Sequence, residues 1–339
     1  MNKPVYKLLD WIFIEDINWT GMSINEFGID LLKEHKDKIN WYNIAFRTDY
    51  EGFELIKENY EINKSALFYI SRNYYAVDFL NIHKIIINWH YLSENPNPKI
   101  LEILKQDKYK YVVNWHNLAI NSNSEILEFL FQHPDKINWD LLSTNTTDIA
   151  IDFLTKHFDK INWSELSKNK NDKAIELLKK NPIKINWYNF SSNSNSKAVE
   201  YLLLNIDKIE WHSFVLNNNS NAAKFILDNI DKIINWSGMC YNNNSDIVKL
   251  LLKNPNKIDF RNLCYNKNPL ILPFLKANKD KICWYSLSSN PIIFELDYKK
   301  MSDNFLKIKE EIIIEAMNPK RICKYLEIEG YDYLEEMYG

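Results

Sequence analysis

One ten-residue phrase, Lys160-Ile161-Asn162-Trp163-Ser164-Glu165-Leu166-Ser167-Lys168-Asn169, returns with small changes along most of the chain, and no other feature restricts the fold so tightly. With tryptophan as anchor it recurs at Trp19, Trp41, Trp89, Trp115, Trp139, Trp163, Trp187, Trp211, Trp236 and Trp284, with Leu67 and Phe260 filling two gaps, so twelve units are present. From Trp115 onward the anchors stand 24 or 25 residues apart, and the earlier steps of 22 and 26 residues compensate in pairs. A period of this length belongs to stacked arrays, in which each unit buries its apolar face only against its neighbours. A chain of 339 residues built this way is expected to form one elongated domain rather than two or three globular ones.

The twelve copies act as internal controls for each phase. Three residues after the anchor the side chain is apolar in every unit, from Met22 and Ile44 to Leu263 and Leu287, so anchor and follower share one helix face. The next position is Ser, Ala or Cys in eleven of twelve units, Val215 being the exception, which reads as a seam where a larger side chain would clash. Asn162 before Trp163 is a favoured N-cap, and Glu165 stands where a capping box needs it. Six residues past the anchor Asn recurs in eleven units, Arg47 replacing it in one; Asn tolerates the left-handed conformation that ends helices. A second, amphipathic helix follows, with Ser124, Asp148, Asp172, Ser196, Ser220 or Ser245 as its expected cap and an apolar face such as Ala174, Ile175, Leu177 and Leu178.

These readings predict an all-α, right-handed α-solenoid of about twelve short two-helix repeats of roughly 24 residues over positions 19–290. Residues 1–18, with Tyr6, Leu8, Leu9, Trp11, Ile12 and Ile14 at helical spacing, are expected to cap the first repeat. Residues 291–339 are expected to form a helical cap at the other end, with Ser302 or Asp303 starting one helix and Pro319 another. The tryptophans, fixed in phase beside an apolar position, are expected to lie in the core between successive units.

A formal net charge of −3 and high aromatic content exclude a disordered chain and a strongly basic one. Cys240, Cys264, Cys283 and Cys323 form no metal-ligand doublets, and a reducing compartment is expected. The apolar stretch near the amino terminus is interrupted by Asp10 and is not expected to act as a secretory signal, and no stretch approaches the roughly 18 apolar residues of a membrane span. His90, His116 and His212 each follow an anchor but lack partners at ligand spacing, so no metal and no cofactor is expected. Lysine stands three residues before the anchor in eight units, including Lys38, Lys64, Lys136, Lys160 and Lys208, a row that suits a phosphate backbone. Asp37, Asp135, Asp159, Asp207 and Asp280 precede such lysines directly and offset their field. Phosphate loops, nucleophile motifs and isolated carboxylate pairs are missing from the sequence, so no enzyme is expected. The residue after the anchor varies from unit to unit, and the scaffold does not dictate it. Tyr42, His90, His116, Tyr188, His212, Arg261 and Tyr285 in this row are the expected partner-binding residues.

The phrase Asp-Lys-Ile-Asn-Trp-x-x-Leu-Ser-x-Asn carries a resemblance, as do the opening Leu8-Leu9-Asp10-Trp11-Ile12 and the closing Asn290-Pro291-Ile292-Ile293-Phe294-Glu295-Leu296-Asp297-Tyr298 with Pro319-Lys320-Arg321-Ile322-Cys323-Lys324-Tyr325-Leu326. Over nearly its whole length the chain resembles the tryptophan- and asparagine-rich repeat proteins of mimivirus-like giant viruses. That resemblance implies a viral origin and the host-cell cytoplasm, and it transfers no catalytic residue. The expected function is a non-catalytic scaffold binding a viral or host protein, with a structural role in virions or replication factories as a variant. RNA binding, or a translation-associated scaffold, ranks second.

Overall fold

The structure is a computed structural model and describes residues 4–59, 68–82, 87–106 and 113–318. Leu67, Lys64, Cys323 and the helix expected after Pro319 lie outside the described residues. The described chain is helical with one two-stranded pairing, and the repeated helix pairs confirm the all-α repeat architecture. It divides into two compact units, Trp11–Ile293 with all the repeats, and Met1–Asp10 with Phe294–Gly339.

The repeat anchored at Trp163 shows how one unit is built. Asn162 caps the short helix Trp163–Leu166 by accepting from the Glu165 amide at 3.1 Å. The reciprocal half of the expected capping box is replaced: the Asn162 amide donates to Ser143 Oγ of the preceding unit at 3.0 Å, and Glu165 pairs with Lys168 at 2.9 Å. The second helix, Asp172–Lys180, is capped by Asn171, one residue before the expected cap. Asn123, Asn195, Asn219 and Asn244 do the same in their units, and Thr147 in another, so the Ser and Asp side chains fall at the first helical position. A 3-10 turn, Pro182–Lys184, then leads to buried Ile185 and the next short helix.

The core lies between the short and the long helices. All twelve side chains three residues past the anchor are at most 1% exposed, and the long helix contributes Ala174, Ile175 and Leu178 at 0%. The anchor tryptophans are half-buried, which corrects the expectation that they are core. Each described repeat tryptophan begins a short helix, and several lie flat on an aromatic ring of the long helix in the same unit. Trp139 stacks on Phe153 at 5.9 Å and 11°, Trp211 on Phe225 at 5.9 Å and 18°. Their outer edge stays near solvent, where Lys232 stands 5.3 Å from the Trp211 ring.

The recurrent Asn is the element that joins one unit to the next. It ends the short helix in an extended conformation, φ −68° and ψ 124° at Asn145, not the left-handed one expected. Its side chain is buried and makes three hydrogen bonds. In Asn193, Nδ2 donates to the carbonyls of Ser167 at 3.1 Å and Asn169 at 2.8 Å in the preceding unit, and Oδ1 accepts from the Asn195 amide at 3.0 Å. Asn95, Asn121, Asn145, Asn169, Asn217, Asn242, Asn266 and Asn290 repeat this pattern of donation to the unit before. A carboxamide of this length offers two donors and one acceptor together; a carboxylate there would face two carbonyls with no proton. Arg47 fills the one exceptional rung, its guanidinium donating to the carbonyls of Asn25 and Glu26. Gly52 leaves space for it, because a methyl group there would press on the Arg47 side chain. Its Nε sits 2.9 Å from an Asp49 carboxylate oxygen, off the N–H direction.

The ladder has no open end. Asn25 of the first unit donates to the carbonyls of Ser288 and Asn290 in the last, both at 2.9 Å, and the Asn18 amide donates to Ser288 Oγ at 2.9 Å. The short helix Trp19–Met22 packs directly on Trp284–Ser288; a methyl group on Gly21 would strike the carbonyl oxygen of Tyr285. The repeat unit is therefore a closed ring, not an elongated array with a capped start. Residues 11–18 complete the last coil: the 3-10 turn Ile14–Asp16, buried Ile17 and Asn18 stand in the phases of Pro182–Lys184, Ile185 and Asn186. Lys279, in the 3-10 turn of the coil before, reaches Asp16 at 3.7 Å. In a ring made by rotation the spacing between neighbours grows with radius. Asn rungs touching adjacent backbones therefore mark the inner row, and the long helices, which neighbours bridge by pairs such as Lys197–Asp172 at 2.9 Å, mark the outer one.

In the smaller unit Tyr6–Leu8 forms a strand, not the expected helix, and pairs antiparallel with Phe294–Leu296. The helix Tyr298–Ala316 follows, capped by Asp297 rather than Ser302 or Asp303. No residue of that helix is buried.

Candidate functional site

The ladder leaves one face of each short helix free, and that face carries the residue after the anchor. Tyr42, His90, His116, Tyr188, His212, Arg261 and Tyr285 are all exposed, so the expected row exists as a belt following the short helices around the ring. The fold does not gather the seven into one cluster. Tyr188 and His212 of neighbouring units stack at 6.3 Å and 22°, and Tyr42 meets Tyr69 of the next unit at 4.5 Å. His90 is held by Asn114 at 2.9 Å and Asn117 at 3.1 Å, and lies 3.7 Å from Glu94. Asn235 donates to the His212 carbonyl at 2.9 Å. His116 lines a shallow groove of about 480 Å³ with Trp115, Asp135 and Lys136.

A tighter grouping stands on units two to four. Tyr42 lies 4.8 Å from Phe46 and 4.5 Å from Tyr69; Tyr69 lies 5.2 Å from Phe46, 5.4 Å from Phe68 and 5.5 Å from Tyr91; Phe46 and Tyr91 meet edge to face at 5.7 Å. Tyr42 and Phe68 are 50% and 49% exposed, so the cluster presents rings to solvent over a half-buried aromatic base. Burial first, and then the neighbouring Tyr42 and Tyr69, push the Tyr91 hydroxyl above its ordinary pKa and keep it protonated. Arg72 lies over Phe46 at 5.9 Å and reaches Glu94 at 3.9 Å, which edges the platform with a mutually paired charge. Edge-to-face pairs of this kind add to area burial and hold the rings in fixed orientation.

Of this group only Tyr42 belongs to the sequence-derived set. Phe68 stands in the same phase as Tyr42, one residue after the anchor Leu67, and the signal for Phe46, Tyr69 and Tyr91 lay in other phases. Two residues after the anchor, most units carry Asn, Ser or Gly, while Tyr69 and Tyr91 stand in units three and four; five residues after it, Phe46 replaces mostly polar or aliphatic side chains. Reading one variable phase alone passes over residues that are adjacent only because successive units stack.

The lysine row is exposed and largely tied to its own aspartates: Lys38–Asp37 at 3.5 Å, Lys136–Asp135 at 3.4 Å, Lys160–Asp159 at 3.2 Å and Lys208–Asp207 at 3.1 Å. Cys240 and Cys264 take the seam position, buried, and accept the Asp259 and Cys283 amides much as Ser167 Oγ accepts the Asn186 amide at 3.0 Å. The seam position is thus an acceptor site as well as a small one. Burial raises the Cys240 thiol and pushes Cys264 up to about 11. Burial also acts to raise Cys283, but hydrogen bonds from Ser286 and the Arg261 charge outweigh it and the thiol falls below its ordinary value. Among the described residues no three His, Cys, Asp or Glu side chains come together to hold a metal ion, and no helix is long and apolar enough to cross a membrane.

No protein-family model matches the chain, and no curated protein or solved structure matches it either.

Proposed function

We propose that this ring is a non-catalytic scaffold that binds another protein, viral or host, through the short-helix face, with the aromatic platform of Tyr42, Phe46, Phe68, Tyr69 and Tyr91 as its main anchor. The platform carries the reading. Rigid, half-exposed aromatic rings packed on a fixed base supply contact area at little entropic cost, and such residues dominate the energy of protein interfaces. The belt residues Tyr188, His212, Arg261 and Tyr285 add secondary contacts for a partner large enough to span several units. The lysine–aspartate pairs argue against a phosphate-tracking row, since a basic stripe needs its charge unopposed. A host-cytoplasmic setting, and a place in virions or replication factories, follow from the family resemblance and use the same docking surface.

The test is capture from infected cells with the tagged protein and its Tyr42→Ala/Phe68→Ala variant as parallel baits. Both rings are about half exposed, so the variant should stay folded with a modestly lowered thermal midpoint while the captured partner falls by about tenfold or more, the effect of losing a hot spot of roughly 2 kcal/mol. Identical capture profiles would refute the platform. Single-stranded RNA at low salt is expected not to bind; salt-sensitive binding would establish the second-ranked reading instead.

A further inference from the structure

Because the units share one template, a residue that breaks the template on the surface stands out, and two such residues lie on adjacent units. The 3-10 turn after a long helix has an acidic residue or Asn at its middle position in every other described turn of this phase, as at Asp159, Asp207 and Asn256, but Ile183 in the turn Pro182–Lys184. Two residues before that turn most units carry a polar side chain, such as Gln132, Lys156 or Lys253, and the next unit along carries Leu204. Ile183 is 92% exposed and Leu204 83%, so neither serves the core or the ring. Phe158 and Ile206, at the first position of the flanking turns, are 44% and 58% exposed. Neighbouring helices pack about 8–10 Å apart, so Phe158, Ile183, Leu204 and Ile206 form one convex apolar arc over three successive units.

The charges around the arc indicate its occupant. Lys160 and Lys208, the last residues of the flanking turns, are tied to Asp159 at 3.2 Å and Asp207 at 3.1 Å. In the turn between them Ile183 takes the place of that aspartate, which leaves Lys184 without the pairing its equivalents have. Lys156 and Lys180 end the long helices of the first two units of the arc and add to the positive field, whereas Lys179 is held by Glu176 at 3.1 Å. Beyond Ile206 the balance reverses, with Glu210, Asp228 and Asp231 against Lys232, so the basic stretch and the apolar arc coincide. A protein interface gathers Trp, Tyr and Arg in pockets and is depleted in lysine. A bilayer instead takes up protruding aliphatic tips without demanding a complementary shape, while lysine stems reach back to the headgroup phosphates. We propose that this arc is a peripheral docking site for an anionic lipid bilayer, with Ile183 and Leu204 entering the boundary between headgroups and acyl chains and Lys156, Lys180 and Lys184 meeting the phosphates. None of these residues belongs to the short-helix face, so lipid and protein partner do not compete for side chains.

Flotation of the full chain with phosphatidylcholine vesicles, with and without about one quarter phosphatidylserine, tests this. The expected result is binding to the anionic vesicles that falls as salt rises and is much weaker on neutral ones. Ile183→Asn/Leu204→Gln places at both positions residues that equivalent units already carry, Asn256 and Gln132, so the ring stays folded and the net charge is unchanged. That pair should lower partitioning by about tenfold or more. Lys180→Gln/Lys184→Gln should lower binding to the anionic vesicles alone, and Tyr42→Ala/Phe68→Ala should leave it unchanged. No binding to either vesicle overturns the proposal, and so does equal binding to both. Binding that Ile183→Asn/Leu204→Gln leaves intact overturns it as well, by assigning the lipid to another surface, and so does a self-association of the chain that the same pair abolishes.

Discussion

Asn193 shows what a single side chain contributes here. It satisfies two carbonyls of the preceding unit and one amide of its own, all out of reach of water. Asn193→Ala should cost about 2–5 kcal/mol, since each buried polar group left unpaired costs roughly 1–3 kcal/mol, and chemical denaturation would measure it. Asn193→Asp should cost more at neutral pH, because the carboxylate keeps the acceptor and turns both donors into repulsion. The cysteines differ by environment in a way alkylation can read. Cys283 should react with iodoacetamide at neutral pH, while Cys240 and Cys264 should react only on unfolding. Because the Cys264 value is raised in the folded protein, its contribution to stability is complete below the ordinary thiol pKa and is lost as pH rises through about 11. Cys264→Ala should flatten that alkaline limb in a pH-dependent unfolding series.

At the scale of the helix, periodicity located the pairs correctly and misjudged their edges. The caps moved by one residue because Asn171 and its equivalents reach two ways. Asn171 Oδ1 accepts the Lys173 amide at 2.7 Å while its Nδ2 reaches Asp148 of the preceding unit at 2.7 Å, a bond that leads the causes holding the Asp148 carboxyl below its usual range. Local capping preference contains no information about that second bond. The same holds for the tryptophans. A constant phase says that a position is constrained, not that it is buried, and the indoles lie over the long helix rather than beneath it. Leu178→Ala, in the fully buried row, should therefore destabilise by about 2–5 kcal/mol, whereas Trp163→Ala should cost less, about 1–3 kcal/mol, because its indole keeps partial contact with solvent. Thermal unfolding of the two variants side by side checks the order; a larger loss at Trp163 would restore the indole to the core.

For the repeat unit as a whole, closure replaces the two weakest places of a stacked array, its ends, with one more interface of the ordinary kind. Twelve rungs share a full turn, about 30° each, a small rotation that must be nearly uniform for the last unit to meet the first. Gly21 is needed at that seam because its neighbour there is the Tyr285 backbone. Gly21→Ala should force the seam apart, and hydrogen exchange should then quicken around Trp19–Met22 and Trp284–Ser288 while the helices Asp148–Lys156, Asp172–Lys180 and Ser196–Leu204 stay protected. Uniform exchange around the ring in that variant would mean the seam is not where the two ends of the array are joined.

From residue order alone came the number of units, their helical class, the apolar row three positions past each anchor, and an exposed row beside it, because these depend on periodicities that act within a few residues. Tertiary structure decided that the recurrent Asn reaches the backbone of the unit 24 residues earlier, that Phe46, Tyr69 and Tyr91 join Tyr42 in one platform, and that the array closes. Each of those depends on how far one unit turns from the last. That angle is set by the difference in packing distance between the inner turns and the outer helices, and it accumulates over twelve steps, so no local pattern expresses it.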